Sequence, residues 1–227
     1  MEKKTKIIIG VAGGVVVLVG AFAAFGGPIY AQLAGTPDAA PSLAATAASG
    51  EALGDLSGDW AVGGDSYAGY RVNEVLNGTP VTVNGRTKGV SGDISVAGSQ
   101  VTSGTVTVDV TTMATDQPPR DAYFQGEAMK TSQFPTATFT LTQPIAANGV
   151  ESGVPATYDV TGDLTLHGVT KPVTAQMQAA FTKGSGQITG SIPITFQDFG
   201  VQAPSLGFVT VEDHGSVEFS LDVTPKA

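Results

Sequence analysis

Ile188-Thr189-Gly190-Ser191-Ile192-Pro193-Ile194-Thr195-Phe196 keeps its apolar residues on one parity and Thr189, Ser191, Pro193 and Thr195 on the other. A period of two marks a β-strand with one face buried and the other in water. Val106, Val108 and Val110 alternate in the same way with Thr107 and Asp109, and Phe139 and Leu141 with Thr138, Thr140 and Thr142. Val173, Ala175, Met177, Ala179 and Phe181 share a parity, as do Val217, Phe219, Leu221 and Val223. Beyond Asp55 no segment shows a comparable 3.6-residue repeat, so the class is mainly β.

Between these runs the turn chemistry fits. Asn77-Gly78, Asn84-Gly85 and Asn148-Gly149 accept positive φ and read as hairpin turns, and Gly98-Ser99 and Gly184-Ser185-Gly186 separate alternating runs. The interruption is Asp116 to Phe134, where Pro118-Pro119 precedes Arg120-Asp121-Ala122-Tyr123-Phe124 and reads as the opening of a short helix. Pro135 ends it before the next strand. About eight strands with one apolar parity must hide one face, which a two-sheet sandwich or a closed barrel both do. A domain of roughly 170 residues exceeds the roughly 100 of a seven-stranded immunoglobulin-like sandwich, and the Cys-Trp-Cys core of that fold is missing. A closed barrel of about eight strands is either filled by side chains or holds one small apolar ligand.

Composition removes several functions. The 227-residue chain has 11 Lys plus Arg against 20 Asp plus Glu, a net charge of −9, and charged residues at 14%. It has no basic excess with which to neutralise phosphates, so nucleic acid is not a partner. Without cysteine there is no disulfide framework, thiolate metal site or lipidated thiol. The charge is unevenly spread: with Lys3, Lys4 and Lys6 against Glu2, residues 1–30 hold +2, which leaves −11 for residues 31–227.

Those lysines precede an uncharged apolar run from Ile7 to Phe25. As a helix this run matches the bilayer's hydrocarbon core of about 30 Å. Residues 1–30 therefore read as a cytoplasmic tip and a single transmembrane anchor, with the remainder extracytoplasmic by the positive-inside rule. Signal cleavage near Ala21-Phe22-Ala23 or Ile29-Tyr30-Ala31, giving a secreted protein, is the alternative. Residues 31–54, rich in Ala, Ser, Gly and Pro, read as a flexible exposed linker, and residues 55–227 as the β domain.

Within that domain Trp60 to Thr224 resembles the YceI-like family of bacterial extracytoplasmic, polyisoprenoid-binding proteins. The resemblance rests on Arg120-Asp121, on Gln133-Phe134-Pro135-Thr136-Ala137-Thr138-Phe139, and above all on Gly162-Asp163-Leu164-Thr165-Leu166-His167-Gly168-Val169-Thr170-Lys171-Pro172-Val173. It continues through Asp198-Phe199-Gly200-Val201, Val211-Glu212-Asp213-His214-Gly215 and Val217-Glu218-Phe219. It implies an extended, antiparallel, eight-stranded lipocalin-like β-barrel that binds an isoprenoid lipid. Two departures stand out: Asp65 falls where many members carry a His, and Gln197 where many carry an Arg.

An isoprenoid chain has nothing to hydrogen-bond, so its binding must come from apolar area removed from water. The inward parity supplies that area through Val106, Val108, Val110, Phe139, Leu141 and Leu164, and through Leu166, Ile192, Ile194, Phe196, Phe219 and Leu221. Arg120 is the candidate for a phosphate or quinone head group, because a guanidinium forks onto such oxygens. An Arg beside Asp121 at a helix start is otherwise a structural or solvated pair. Catalytic constellations fail. Ala68 stands where a G-x-S-x-G elbow around Ser66 needs glycine, Asp213-His214 reads as a solvated turn, and His167 reads as a surface or turn residue. The two histidines give no zinc spacing, and no cofactor is implied. The expectation is a non-enzymatic barrel binding an isoprenoid quinone or polyprenyl phosphate at the outer membrane surface. The alternative is a filled barrel acting as a protein-interaction or envelope-stress module.

Overall fold

The alternating runs become strands of one antiparallel sheet in the computed structural model, which describes residues 37–43, 53–147 and 153–226. In chain order these are β1 (Gly58–Leu76), β2 (Thr79–Thr87), β3 (Val90–Ala97), β4 (Gln100–Asp109), β5 (Thr136–Leu141), β6 (Ile145–Ala146), β7 (Ala156–Leu166), β8 (Val169–Thr182), β9 (Ser185–Thr195), β10 (Val209–Val211) and β11 (His214–Pro225). Eight of them close a ring in the order β1-β11-β9-β8-β7-β5-β4-β3, with β3 returning to β1. Closure is made by Gly58–Val62 of β1, which pairs with β3 on one side and continues against β11 on the other. The barrel is thereby chosen over the sandwich, a choice the alternation alone leaves open.

β1 is long because a bulge splits it. The register with β11 shifts between Gly63 and Tyr67, where Gly64 takes φ +61. Ser66, fully buried, fastens the bulge: its hydroxyl donates to the Gly63 carbonyl at 2.5 Å and accepts from the Asp222 N–H at 2.9 Å. Past the bulge, Ala68–Leu76 pairs with β2 instead of β3, and β10 joins Glu74–Leu76. These strands lengthen the barrel wall at one end.

The excursion between β4 and β5 is a short helix, α1 (Pro118–Tyr123), continued by a π-helical turn at Phe124–Ala128. Phe124 lies parallel on Tyr70, ring centres 5.0 Å apart, so the helix packs over the lengthened end. Asn77 and Gly78, at φ +48 and +81, form the β1–β2 turn as expected. Asn84-Gly85 does not make a turn; both residues lie inside β2, because Gly85 faces Tyr70 across the register and a side chain there would meet its ring at 2.4 Å. Asn148-Gly149 lies outside the described residues.

The expected transmembrane anchor at residues 1–30 also lies outside the described residues; among those described, no helix is long and apolar enough to cross a membrane. Of the expected linker, residues 37–43 lie along the outer face of the barrel. The Asp38 carboxylate meets Arg86 at 2.7 Å, its carbonyl accepts from Arg71, and the Leu43 N–H donates to Gln178 at 3.2 Å.

Candidate functional site

Inward parity along the ring converges on two abutting apolar cavities of about 170 and 520 Å³. Ala68, Val108, Ala137, Leu166 and Val217 line both and form the waist between them, so the barrel interior holds space on either side of that waist. The narrower cavity ends at Trp60, Val96, Phe181 and Val223. The wider one lies beneath α1 and reaches Asn77 and the loop carrying Leu206 and Phe208.

Glycines make part of this room. The ring of Phe219 lies over Gly190 on the neighbouring strand, and that of Phe139 over Gly162. A Cβ at either glycine would come within 2.6 Å of the ring, so these aromatics lie flat along the wall where larger neighbours would force them elsewhere.

The structure places each residue proposed from sequence. Val106, Val108, Phe139, Leu141, Leu164, Leu166, Ile192, Phe219 and Leu221 line the narrower cavity, and Val110, Ile194, Phe196 and Arg120 line the wider one with Val108 and Leu166. Two of them depart from strand geometry. Val110 opens a 3₁₀ turn because the Asp109 carboxylate captures the Thr111 N–H at 2.9 Å. Phe196 opens another, closed by Gly200 at φ +68.

Sequence reasoning missed Trp60, Tyr70, Met113, Phe124 and Phe199, which also line the cavities. Several lie in the helix, the turns and the irregular loop, where period two is silent. The signal available was their aromatic and Met character within a domain otherwise rich in Thr, Ser and Gly.

Polar groups gather at the wide end. Arg120 is held between Glu74, at 2.9 Å, and Asp116, at 3.0 Å; Glu74 is buried and Arg120 half-buried. Asp121 instead accepts from the Thr115 N–H at 2.8 Å and hydroxyl at 2.7 Å. Burial pushes the Tyr70 phenol far above its ordinary pKa despite the opposing charge of Arg120, so it stays protonated and able to donate. Asp65 and Gln197, the two departures from the resembling family, are exposed; Asp65 pairs with Lys88 at 3.1 Å. Neither lines a cavity.

The histidines do other work. His167, at φ +50 in the β7–β8 turn, stands edge-on to Phe134 at 4.8 Å with Nδ1 3.3 Å from the Phe199 carbonyl. His214 is exposed beside Asp213, at 2.9 Å, and Glu212, at 3.3 Å. Among the described residues no group of three or more metal-ligating side chains forms.

A closed antiparallel barrel that encloses apolar-lined cavities, with charged groups at the wider one, defines the class of apolar-pocket β-barrels. Within it the chain belongs to the YceI-like domain family, whose model matches residues 63–223. It is similar to a UPF0312 protein of Shewanella sp. strain W3-18-1, 33% identical over 132 residues that cover 53% of this chain and 64% of that one. It is also similar to Protein YceI of Escherichia coli O157:H7, 40% identical over 72 residues, 31% of this chain and 34% of that one. The chain thus spans less than two thirds of the length of these curated relatives. Among solved structures, a polyisoprenoid binding domain from Saccharophagus degradans implicated in plant cell wall breakdown matches with TM-score 0.59 at 18% identity, over 74% of this chain and 98% of that one. BcnA of Burkholderia cenocepacia matches with TM-score 0.53 at 23% identity, over 67% and 95%. At such identities the likeness is one of fold.

Proposed function

We propose that the chain binds an isoprenoid-chain lipid inside the barrel, tail toward Trp60 and head beside Arg120, and sequesters or carries it without chemical turnover. One observation carries the reading: the two apolar cavities abut along the barrel, while the charged residues that line them, Glu74 and Arg120, stand in the wider one only. A slot that is apolar along its length and polar at one end matches an amphiphile with a long tail and a small head. Tail binding draws on apolar burial at about 25 cal/mol per Å², before the costs of association. The polyisoprenoid binding of the Saccharophagus degradans domain supports the same ligand class for this chain.

Between the two heads considered, the charge of the site favours a quinone over a polyprenyl phosphate. Arg120 already faces Glu74 and Asp116, so a phosphate would enter among carboxylates that repel it. An uncharged carbonyl oxygen can accept from Arg120 or Tyr70 without that cost. The basic tip and apolar run of residues 1–30 support attachment to the membrane with the barrel on its extracytoplasmic side.

Native mass spectrometry of the gently purified chain, followed by organic extraction, tests the reading. The expected result is a bound apolar mass, or uptake of an isoprenoid quinone on incubation. A chain that stays ligand-free after incubation with both quinones and polyprenyl phosphates overturns it and leaves a protein-interaction module.

A further inference from the structure

The wide cavity reaches two turns that touch. Asn77 of the β1–β2 turn donates its N–H to the Phe208 carbonyl at 2.7 Å, and a small hairpin folds at Leu206-Gly207-Phe208, where the Leu206 N–H meets the Val209 carbonyl at 2.9 Å. Leu206 and Phe208 line the cavity rim, yet they are 53% and 57% exposed, and the adjacent Val75 is 43% exposed. Among the described residues these are the large apolar side chains left most open to water. The segments that present them, residues 75–85 and 199–211, contain no charged residue in a chain of net charge −9.

We propose that this tip docks onto a zwitterionic bilayer surface, inserting Leu206 and Phe208 so that the cavity mouth opens against lipid. An apolar rim without charge sinks into the headgroup boundary at little desolvation cost, whereas a basic patch would be needed to select anionic lipid. Three side chains are too few to seal a stable dimer, which needs about 800 Å² from each partner. A tip that inserts shallowly into lipid needs much less. The tip also continues the cavity wall, so a water-insoluble ligand would pass between bilayer and barrel without crossing solvent.

The absence of cysteine makes a site-specific test direct. The full chain, carrying a fluorophore at S205C in the tip or at S185C in the β8–β9 hairpin at the other end, is reconstituted on phosphatidylcholine vesicles free of isoprenoid lipid. Docking is thereby read independently of cavity occupancy, and it stands or falls apart from the proposed ligand. The S205C probe is expected to be quenched by a lipid-borne quencher and shielded from aqueous iodide, and the S185C probe to show the reverse. Adding L206S/F208S to S205C should weaken the lipid quenching at least tenfold, since each inserted apolar side chain alone is worth about a factor of ten or more. The proposal is overturned if both probes respond alike, if S205C stays open to iodide, or if S205C is shielded from iodide without lipid quenching, which would mark a second copy or another protein on the tip.

Discussion

Glu74 and Arg120 are the charged pair lining the wider cavity, and little of their pairing was legible in the sequence. Arg120 stands out as a scarce cation beside Asp121, yet its partner Glu74 comes from the far end of β1, and Asp121 turns away to Thr115. Pairing across 46 positions depends on closure of the barrel, which residue spacing does not encode. If the pair sets head-group selectivity, Glu74→Gln should shift competition binding toward polyprenyl phosphate and away from quinone, while Arg120→Ala should weaken the quinone itself. Glu74→Ala removes the buried carboxylate from the half-buried guanidinium, and should cost about 2 kcal/mol in chemical denaturation, below the roughly 3–5 of a fully buried pair. Unchanged selectivity in both substitutions would remove the head-group role.

His214 shows a second residue-scale effect, this one in solvent. Its hydrogen bond to Asp213, helped by the charge of Glu212, raises the imidazole above its ordinary 6.5, and the same contact lowers Asp213 below 3.8. A raised histidine binds its proton more tightly in the folded chain. Its contribution is therefore complete below 6.5 and is lost as pH rises through the raised value; that of Asp213 is present above 3.8 and lost on acidification. Imidazole shifts followed by NMR should place the His214 titration above 6.5, and Asp213→Asn should bring it back toward 6.5.

At the scale of elements, period two locates most strands, because each buries one face, and it falters where local bonding competes. Val110 and Phe196 have the right parity but leave their strands for 3₁₀ turns, the first because Asp109 caps it. Asn84-Gly85 has turn chemistry yet stays in β2, because Tyr70 needs the space above Gly85. Space for a ring also governs Gly190, where a Cβ would lie 2.6 Å from Phe219 and 3.1 Å from Met177. Gly190→Val should therefore destabilise the barrel by about 1–3 kcal/mol in thermal or urea unfolding. Gly126→Ala, with nothing within 4 Å of the new Cβ, should leave stability level or slightly raised. Residues 37–43 are an element that composition hides: Ala, Ser and Pro read as linker, while Asp38 holds Arg86 and Arg71 on the barrel's outer face. Asp38→Ala breaks a largely exposed pair, so it should cost at most about 1 kcal/mol. Hydrogen exchange at residues 39–43 should nevertheless rise markedly.

At the scale of the molecule, the lining was legible as a parity, but whether that parity surrounds a void was not, since a filled core and a hollow one share the same alternation. The two cavities depend on facing glycines and on a cover of irregular segments that carry no period. They also give the barrel a ruler. From Trp60 to Glu74, β1 climbs roughly 35 Å, at about 3.3 Å per residue and a tilt of about 40°. Trp60, the chain's single tryptophan, lines the narrow end against Phe181 at 5.7 Å, while Arg120 lines the wide one. A lipid whose head is held beside Arg120 reaches Trp60 only if its tail crosses the waist at Ala68, Val108 and Leu166. Titration with quinones of increasing tail length should then leave Trp60 emission unchanged for short tails and alter it once the tail passes that length. Ala68→Phe, which plugs the waist, should abolish the fluorescence response to long tails while binding in the wide cavity, followed by native mass spectrometry, persists. A Trp60 response that is equal for all tail lengths, or that survives the plug, would mean that ligands enter from the narrow end and that the orientation proposed for the lipid is reversed.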